Sequence, residues 1–385
     1  MLYYDRVMDV YFDNAATTMV REEAIDAMVD AMRTEFGNPS STHYMGRRAA
    51  AALEKARSHL AGALAAKPDE IYFTSGGTES DNWAVLGSAQ MLSRRGRHMI
   101  TSSIEHDAVT KAFKKLENAG WEVTYIDPDS KGRVPIDAFA AALREDTVFA
   151  SIIYVNNETG AINPIGEYSQ VLKRRRLGTL LHTDAVQGFC KVPTSAKALG
   201  AQLITVSAHK IHGPKGVGAL YIENGIKLPP MQLGGSQEMG KRAGTEALPA
   251  IAGFGEATRL AGHEMDESKL KAEELHLHTV RLLSEELPQA VIISEGGSPY
   301  ILSVSLPGYK SEVLMSFLEA EGICVSKGAA CKKGARSHVL EAMRLKDNVI
   351  DGALRISFSR YNTLKEAEYL VEKLKEASIN IKKPR

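Results

Sequence analysis

The sequence predicts an α/β protein, with a large, mostly parallel seven-stranded sheet domain joined to a smaller α+β domain. Three observations lead there. Helical stretches alternate with short apolar strands from about residue 20, seven such strands occur before about residue 255, and beyond it a long charged helical stretch introduces a different mixture of elements. Strand followed by crossover helix is the grammar of βαβ units, which build parallel sheets covered by helices on both faces.

The elements follow in order. Residues 21–36 and 47–64 repeat apolar and alanine positions at helical spacing and read as helices. EIYFTSGG (70–77) is an apolar strand running into a glycine turn, and 80–96 returns as a helix. The other six strands are HMITSS (98–103), EVTYID (122–127), TVFASIIYV (147–155), TLLHTD (179–184), QLITVS (202–207) and GALYI (218–222). Most are separated by enough chain for a crossover helix. In the smaller domain a single helical stretch, 256–287, leads into strands at 291–295, 301–307, 323–326 and 354–359, and 363–377 closes the chain as a helix. No repeat or Pro-rich linker separates the two parts, so they are expected to pack together.

A chain of 385 residues exceeds what one hydrophobic core usually fills, which agrees with two domains. Lys+Arg and Asp+Glu are equal at 47 each, so no general attraction to nucleic acid or to an anionic membrane is expected. The first residues carry acidic groups and lack a long apolar segment, unlike a secretory signal, and no run of about 18 uncharged apolar residues predicts a membrane span. A cytoplasmic protein is expected. Three cysteines, Cys190, Cys324 and Cys331, are too few and too irregularly spaced for a disulfide framework or zinc site. Cys190 follows Phe189 and Cys324 follows Ile323, so both read as buried small hydrophobes; Cys331 lies in a polar Gly- and Ala-containing segment.

Three constellations carry chemistry. SGGTES (75–80) joins a strand to a helix, where glycines and free helix-start amides suit a phosphate; a turn capped by Thr78 or Ser80 has the same appearance. Asp184 ends a strand at the expected carboxyl edge of the sheet, where it would pair with a cationic ring nitrogen or simply cap a turn. Lys210 ends another strand, and burial there would lower its pKa towards a nucleophilic amine, whereas its rival Lys215 sits in a glycine turn. Together they match the needs of pyridoxal 5′-phosphate: an amine to hold it, an acid for its ring nitrogen and a nest for its phosphate.

The order YFDNAATT, GNPSSTH, SGGTESDN, EHDAV, VNNETG, HTDAVQ, SAHKIHGPKG, GGSQEMGKRAGTEA and GAACKKGARSHVL, from about residue 11 to 362, resembles the cysteine desulfurases of the NifS/IscS type. These are fold-type I pyridoxal-phosphate enzymes of the class V aminotransferase branch. The resemblance implies that Lys210 holds the cofactor and serves as the base that moves the substrate's Cα proton. It implies that His106 stacks on the pyridine ring and acts as a catalytic proton shuttle, Asp184 pairs with the ring nitrogen and Gln187 bonds the phenolic oxygen. Gly77, Thr78, Ser207 and His209 would hold the phosphate. Thr245 would reach the phosphate of a neighbouring subunit, which implies a homodimer with shared sites. Asn157 and Arg355 would grip L-cysteine, Arg355 by a two-pronged bond to its carboxylate. The implied division is a large cofactor domain at 14–255 and a small domain at 1–13 and 256–385 that carries the cysteine loop.

On the same resemblance Cys331 takes the sulfur as a persulfide and passes it to an acceptor protein of an iron–sulfur or tRNA-thiolation pathway. Lys332, Lys333 and Arg336 nearby would favour its thiolate. Two departures stand out. Only five residues, three of them basic, separate Cys331 from Ser337 where housekeeping members carry a longer Ser-rich stretch, and Met239 stands where an arginine is common. A selenocysteine lyase or another class V aminotransferase-like enzyme would share most of these residues, though an aminotransferase would not need Cys331. A non-catalytic relative would have lost the lysine, aspartate or cysteine, and none is lost here.

Overall fold

The computed structural model describes residues 9–327 and 336–381. In chain order the strands are β1 (Val10–Tyr11), β2 (Ile71–Thr74), β3 (His98–Ser102), β4 (Glu122–Ile126), β5 (Thr147–Ser151), β6 (Leu180–Asp184), β7 (Leu203–Ser207), β8 (Gly218–Ile222), β9 (Val291–Ile292), β10 (Ile301–Ser305), β11 (Ile323–Cys324) and β12 (Ala353–Ser357). The helices that position the site are α1 (Glu22–Thr34), α2 (Tyr44–Leu64), α3 (Gly77–Leu92), α4 (Asp107–Asn118), α5 (Ile136–Ala142), α6 (Ile165–Arg175), α7 (Ala196–Leu199), α8 (Leu248–His263) and α9 (Met265–Glu286). They are followed by α10 (Ser311–Ala320), α11 (His338–Ala342), α12 (Asp347–Asp351) and α13 (Leu364–Asn380).

The seven strands expected of the large sheet form it, in the order β2-β8-β7-β6-β5-β3-β4. All pairs are parallel except those of β8, which runs antiparallel to both β7 and β2. Two reversals restore direction, so β2, β3, β5, β6 and β7 all end on the same edge. β3, β5, β6 and β7 are buried along their whole length, as strands covered by helices on both faces must be. One face packs against α1, α2 and α8 through Leu53, Leu60, Phe73, Ile251 and Phe254; α3 and α4 cover the other with Trp83, Val109 and Phe113. Phe254 sits edge-on to both Phe73 and Phe189, with ring centroids 6.5 and 6.3 Å away, so its side chain alone should contribute about 3–5 kcal/mol.

A second core gathers β10, β12, α9, α10 and α13 around Leu302, Val304, Leu318, Ile356 and Leu370. Its antiparallel sheet is β12-β10-β9, and the parallel pair β1-β11 joins it through bridges from Asp13 to Ser357 and from Ser326 to Arg355. The chain's first strand is therefore built into the smaller lobe.

The single helix expected at 256–287 is two, α8 and α9, meeting at Glu264. α8 packs on α1 and α2 whereas α9 packs on α13, so one straight helix would serve neither core. Glu264 at the break receives Arg21 at 3.0 Å, and also Arg360. No described helix is long and apolar enough to cross a membrane.

Candidate active site

The loops leaving the common carboxyl edge of the sheet bring most of the expected residues together. After β2 the backbone turns through Gly76, whose φ of +153° suits glycine, into α3. A Cβ on Gly77 would lie 2.9 Å from Val186 Cγ2, so only glycine lets the helix start press this closely on the loop after β6. The first amides of α3 have no intrahelical acceptor, which makes the turn a nest for an anion. Thr78 is exposed there, while Ser207, at the end of β7, is buried with its hydroxyl unpartnered among the described residues.

Lys210 lies just beyond β7. Its Nζ donates to the carbonyls of Ala15 and Ala16 at 2.6 Å each, and the Gln187 amide donates to Ala15 O at 2.8 Å. The AATT segment thus acts as a backbone platform for both side chains. Burial, with Lys191 and Arg355 close by, pushes the Lys210 amine down to about 7 against the opposing pull of Asp184 and Asp13. At neutral pH a large share of it is uncharged and nucleophilic. His209, whose imidazole meets Thr17 Oγ1 at 3.2 Å, is pushed down to about 3 by burial and the neighbouring lysines, so it stays neutral.

Asp184, at the end of β6, accepts the Val186 N–H at 2.9 Å through Oδ1. Burial raises its pKa, opposed by His106, this backbone bond and Lys210. His106 caps α4, its Nδ1 accepting the Ala108 N–H at 3.2 Å, and its ring is exposed at the mouth of the site. One oxygen each of Asp184 and Asp81 and a ring nitrogen of His106 lie within 4.8 Å of one another.

Arg355 projects from β12 with only 4% of its side chain exposed. It donates to Asp13 Oδ1 and to the carbonyl of Asn157, both at 2.8 Å, and its Nε is buried and unpartnered among the described residues. Asn157 is therefore a neighbour of Arg355 through its backbone. Thr245 is exposed on the loop before α8, and Cys331 lies outside the described residues.

Several partners were not singled out from the sequence. Asp13, Asp81 and Glu105 stand inside motifs that were recognised, YFDNAATT, SGGTESDN and EHDAV, but nothing local distinguishes a buried carboxylate from a turn residue. Glu105 is fully enclosed, takes the Ser102 hydroxyl and the Ile153 N–H at 2.5 and 2.8 Å, and is pushed up to about 8 by burial. Lys191, buried over the Tyr300 ring at 5.6 Å, is pushed down to about 8 by burial and Arg355. Cys190 is buried as expected, its thiol raised to about 12. Cys324 is a correction: it is exposed, because the two-residue β11 pairs only with β1 and turns the thiol outward.

These features fit pyridoxal 5′-phosphate. Among the described residues the Ser207 hydroxyl and Gln187 Oε1 are buried without partners, the former beside the Gly76–Gly77 helix start that suits a phosphate, and Asp184 and Lys210 would supply acid and amine. Residues 10–370 match the model of the aminotransferase class-V family. The chain belongs to the class V aminotransferase family. Members of this family use pyridoxal 5′-phosphate, and it is the cofactor of this chain. Among its curated relatives, cysteine desulfurase IscS of Dictyoglomus turgidum is 41% identical over 95% of this chain and 93% of its own length. Cysteine desulfurase IscS of Methanosarcina thermophila is 42% identical over 95% and 91% respectively. A solved NifS-like protein superposes with a TM-score of 0.92 at 38% identity, covering 97% of this chain and all of its own. A second solved structure, described as SspA in complex with cysteine, gives a TM-score of 0.81 at 32% identity, covering 92% of this chain and 100% of its own.

Proposed function

We propose that this chain is a cysteine desulfurase that converts L-cysteine to L-alanine and keeps the sulfur as a persulfide on Cys331. The observation that carries the reading is a lysine amine of lowered basicity, held beside a buried acid at the edge where relatives of this name align along 95% of the chain. Those relatives favour desulfurase over selenocysteine lyase or a general aminotransferase.

When bound, pyridoxal phosphate draws electrons away from the substrate's Cα and so weakens the bonds around it. Lys210 would hold it covalently and, once displaced, take the Cα proton with an amine that is substantially free at neutral pH. Asp184 would keep the ring nitrogen protonated, His106 would lie against the ring, and Gln187 would bond its phenolic oxygen. Gly77, Thr78, Ser207 and His209 would hold the phosphate. Arg355, fixed by Asp13 and the Asn157 carbonyl, would present its remaining donors to the substrate carboxylate. The net transfer balances: L-cysteine and the Cys331 thiol give L-alanine and the Cys331 persulfide, whose outer sulfur would pass to a thiol of an acceptor protein of an iron–sulfur or tRNA-thiolation pathway, returning the Cys331 thiol.

Exposed Ile25, Met32, Phe36, Leu233 and Met239 support a homodimer, in which Thr245 of one subunit would serve the site of the other. A cytoplasmic location belongs to the same reading. The deciding experiment supplies L-cysteine and a thiol reductant and counts alanine and sulfide. Equal yields are expected, and Cys331→Ala should abolish both while keeping the yellow colour of the bound cofactor. Alanine formed at an undiminished rate by Cys331→Ala would overturn the persulfide step.

A further inference from the structure

Asp81, on α3, has no part in the chemistry described so far, yet it is 1% exposed and stands directly beside Asp184. Two buried carboxylates this close oppose each other's ionisation, because each adds repulsion to the other's cost of burial. The question is which of them keeps the proton.

The surroundings are unequal. Asp184 accepts a backbone N–H at 2.9 Å and has His106 and Lys210 as charged or chargeable neighbours, all of which favour its ionised form. Among the described residues the Thr205 hydroxyl is the group that favours ionised Asp81, and its Oδ1 is buried without a partner. The groups facing it are Asp184 and His182 from β6, Glu105 from the loop after β3, and His106 at the start of α4. His182 gives no counter-charge. It is 3.6 Å from Asp81 Oδ1, engages Ser151 and Thr205 at 2.8 and 3.0 Å, and is pushed down to about 3 by burial. Glu105 adds a further acid, itself raised to about 8.

We propose that Asp81 and Asp184 share one proton, held on Asp81, so that Asp81 is a positioning residue that leaves Asp184 as the single ionised acid facing the cofactor's ring nitrogen. The role of Asp184 rests on the cofactor reading above; the proton on Asp81 does not. The pKa of both residues is raised, by burial first and then, for Asp81, by Asp184 itself, which agrees with a shared proton.

The test uses apoprotein and holoenzyme. Asp81→Asn replaces a neutral acid with a neutral amide, so infrared spectra of the apoprotein at neutral pH should lose one protonated-carboxyl band, while any band from Glu105 stays in both proteins. An Asp81 that is protonated when folded and ionised when unfolded makes wild type lose stability as pH rises above the ordinary aspartate range. The Tm of Asp81→Asn apoprotein should therefore gain on wild type from pH 5 to pH 8. An unchanged infrared spectrum together with a pH-independent Tm difference would overturn the proposal. Should Asp81→Asn fail to fold, carbon-13 titration of labelled wild-type aspartates decides it: one buried carboxyl must stay protonated to neutral pH, and none doing so refutes the assignment. In the holoenzyme, Asp184→Asn should lose cofactor far more readily than Asp81→Asn. Equal retention in both variants, with the apoprotein results intact, would sink the role of Asp184 and leave the proton on Asp81 standing.

Discussion

The carboxyl edge of the large sheet and the corner of the smaller lobe that flanks residues 328–335 place charge in opposite settings. At the sheet edge Lys210, Asp184, Asp81 and His209 are enclosed, and burial is the largest influence on each of them. At the corner, Lys327 pairs with Glu312 at 2.7 Å, Arg336 with both Asp347 and Asp351 at 2.8 Å, and Lys310 with Asp351 at 2.6 Å. Each of those pairs keeps at least one member exposed. Their partners hold the Asp351 carboxyl down to about 2, which secures its charge without making it reactive. The difference teaches that desolvation lowers or raises basicity where a cofactor is to be held, whereas screened pairs only tether the chain on either side of residues 328–335.

The comparison can be broken first at Lys210. Lys210→Ala should abolish the cofactor's visible band and all alanine formation; retained colour of wild-type position and intensity would mean another amine holds the ring. Next is Arg355. Each bond from a charged donor contributes about 1.5–3 kcal/mol, so Arg355→Lys should raise the KM for L-cysteine roughly ten- to a hundredfold with the visible band unchanged. A KM equal to wild type would place the substrate carboxylate elsewhere.

A smaller effect reads the desolvation itself. The Lys210 amine lies near 7 when folded and at the ordinary lysine value of about 10.4 when unfolded, so between these the unfolded chain binds more protons and stability rises with pH. The apoprotein Tm of wild type should gain on that of Lys210→Met from pH 7 towards pH 10, and a constant gap would mean an amine of ordinary basicity. The smallest effect belongs to the corner: Arg336→Ala should leave Tm close to wild type, with a change in sulfur transfer to an acceptor that added salt reproduces. A large loss of Tm would make that ion pair structural and erase the contrast.

Much of both regions was legible from the chain. Most strands of the large sheet carry β-branched or apolar runs that end in polar or small residues, and Lys210, Asp184 and Gly77 sit at or just beyond the ends of such runs. The break at Glu264 was hidden, because helical spacing continues through it and only the competing demands of two cores divide it. Cys324 was misread for a related reason. Its apolar neighbours suggested a buried strand, but exposure depends on which strand lies beside it.

The sequence by itself determined the α/β class, the family and the cofactor, and marked Lys210 and Asp184 as the candidate amine and acid, since these are written in local patterns and in their order along the chain. Tertiary structure alone decided that Asp81 faces Asp184, that Asp13 fixes Arg355 across 342 residues, and that the carbonyls of Ala15 and Ala16 receive Lys210. Those relations join residues far apart in the chain, and burial, which sets how each group ionises, exists only once the sheet edge and the smaller lobe have closed around them.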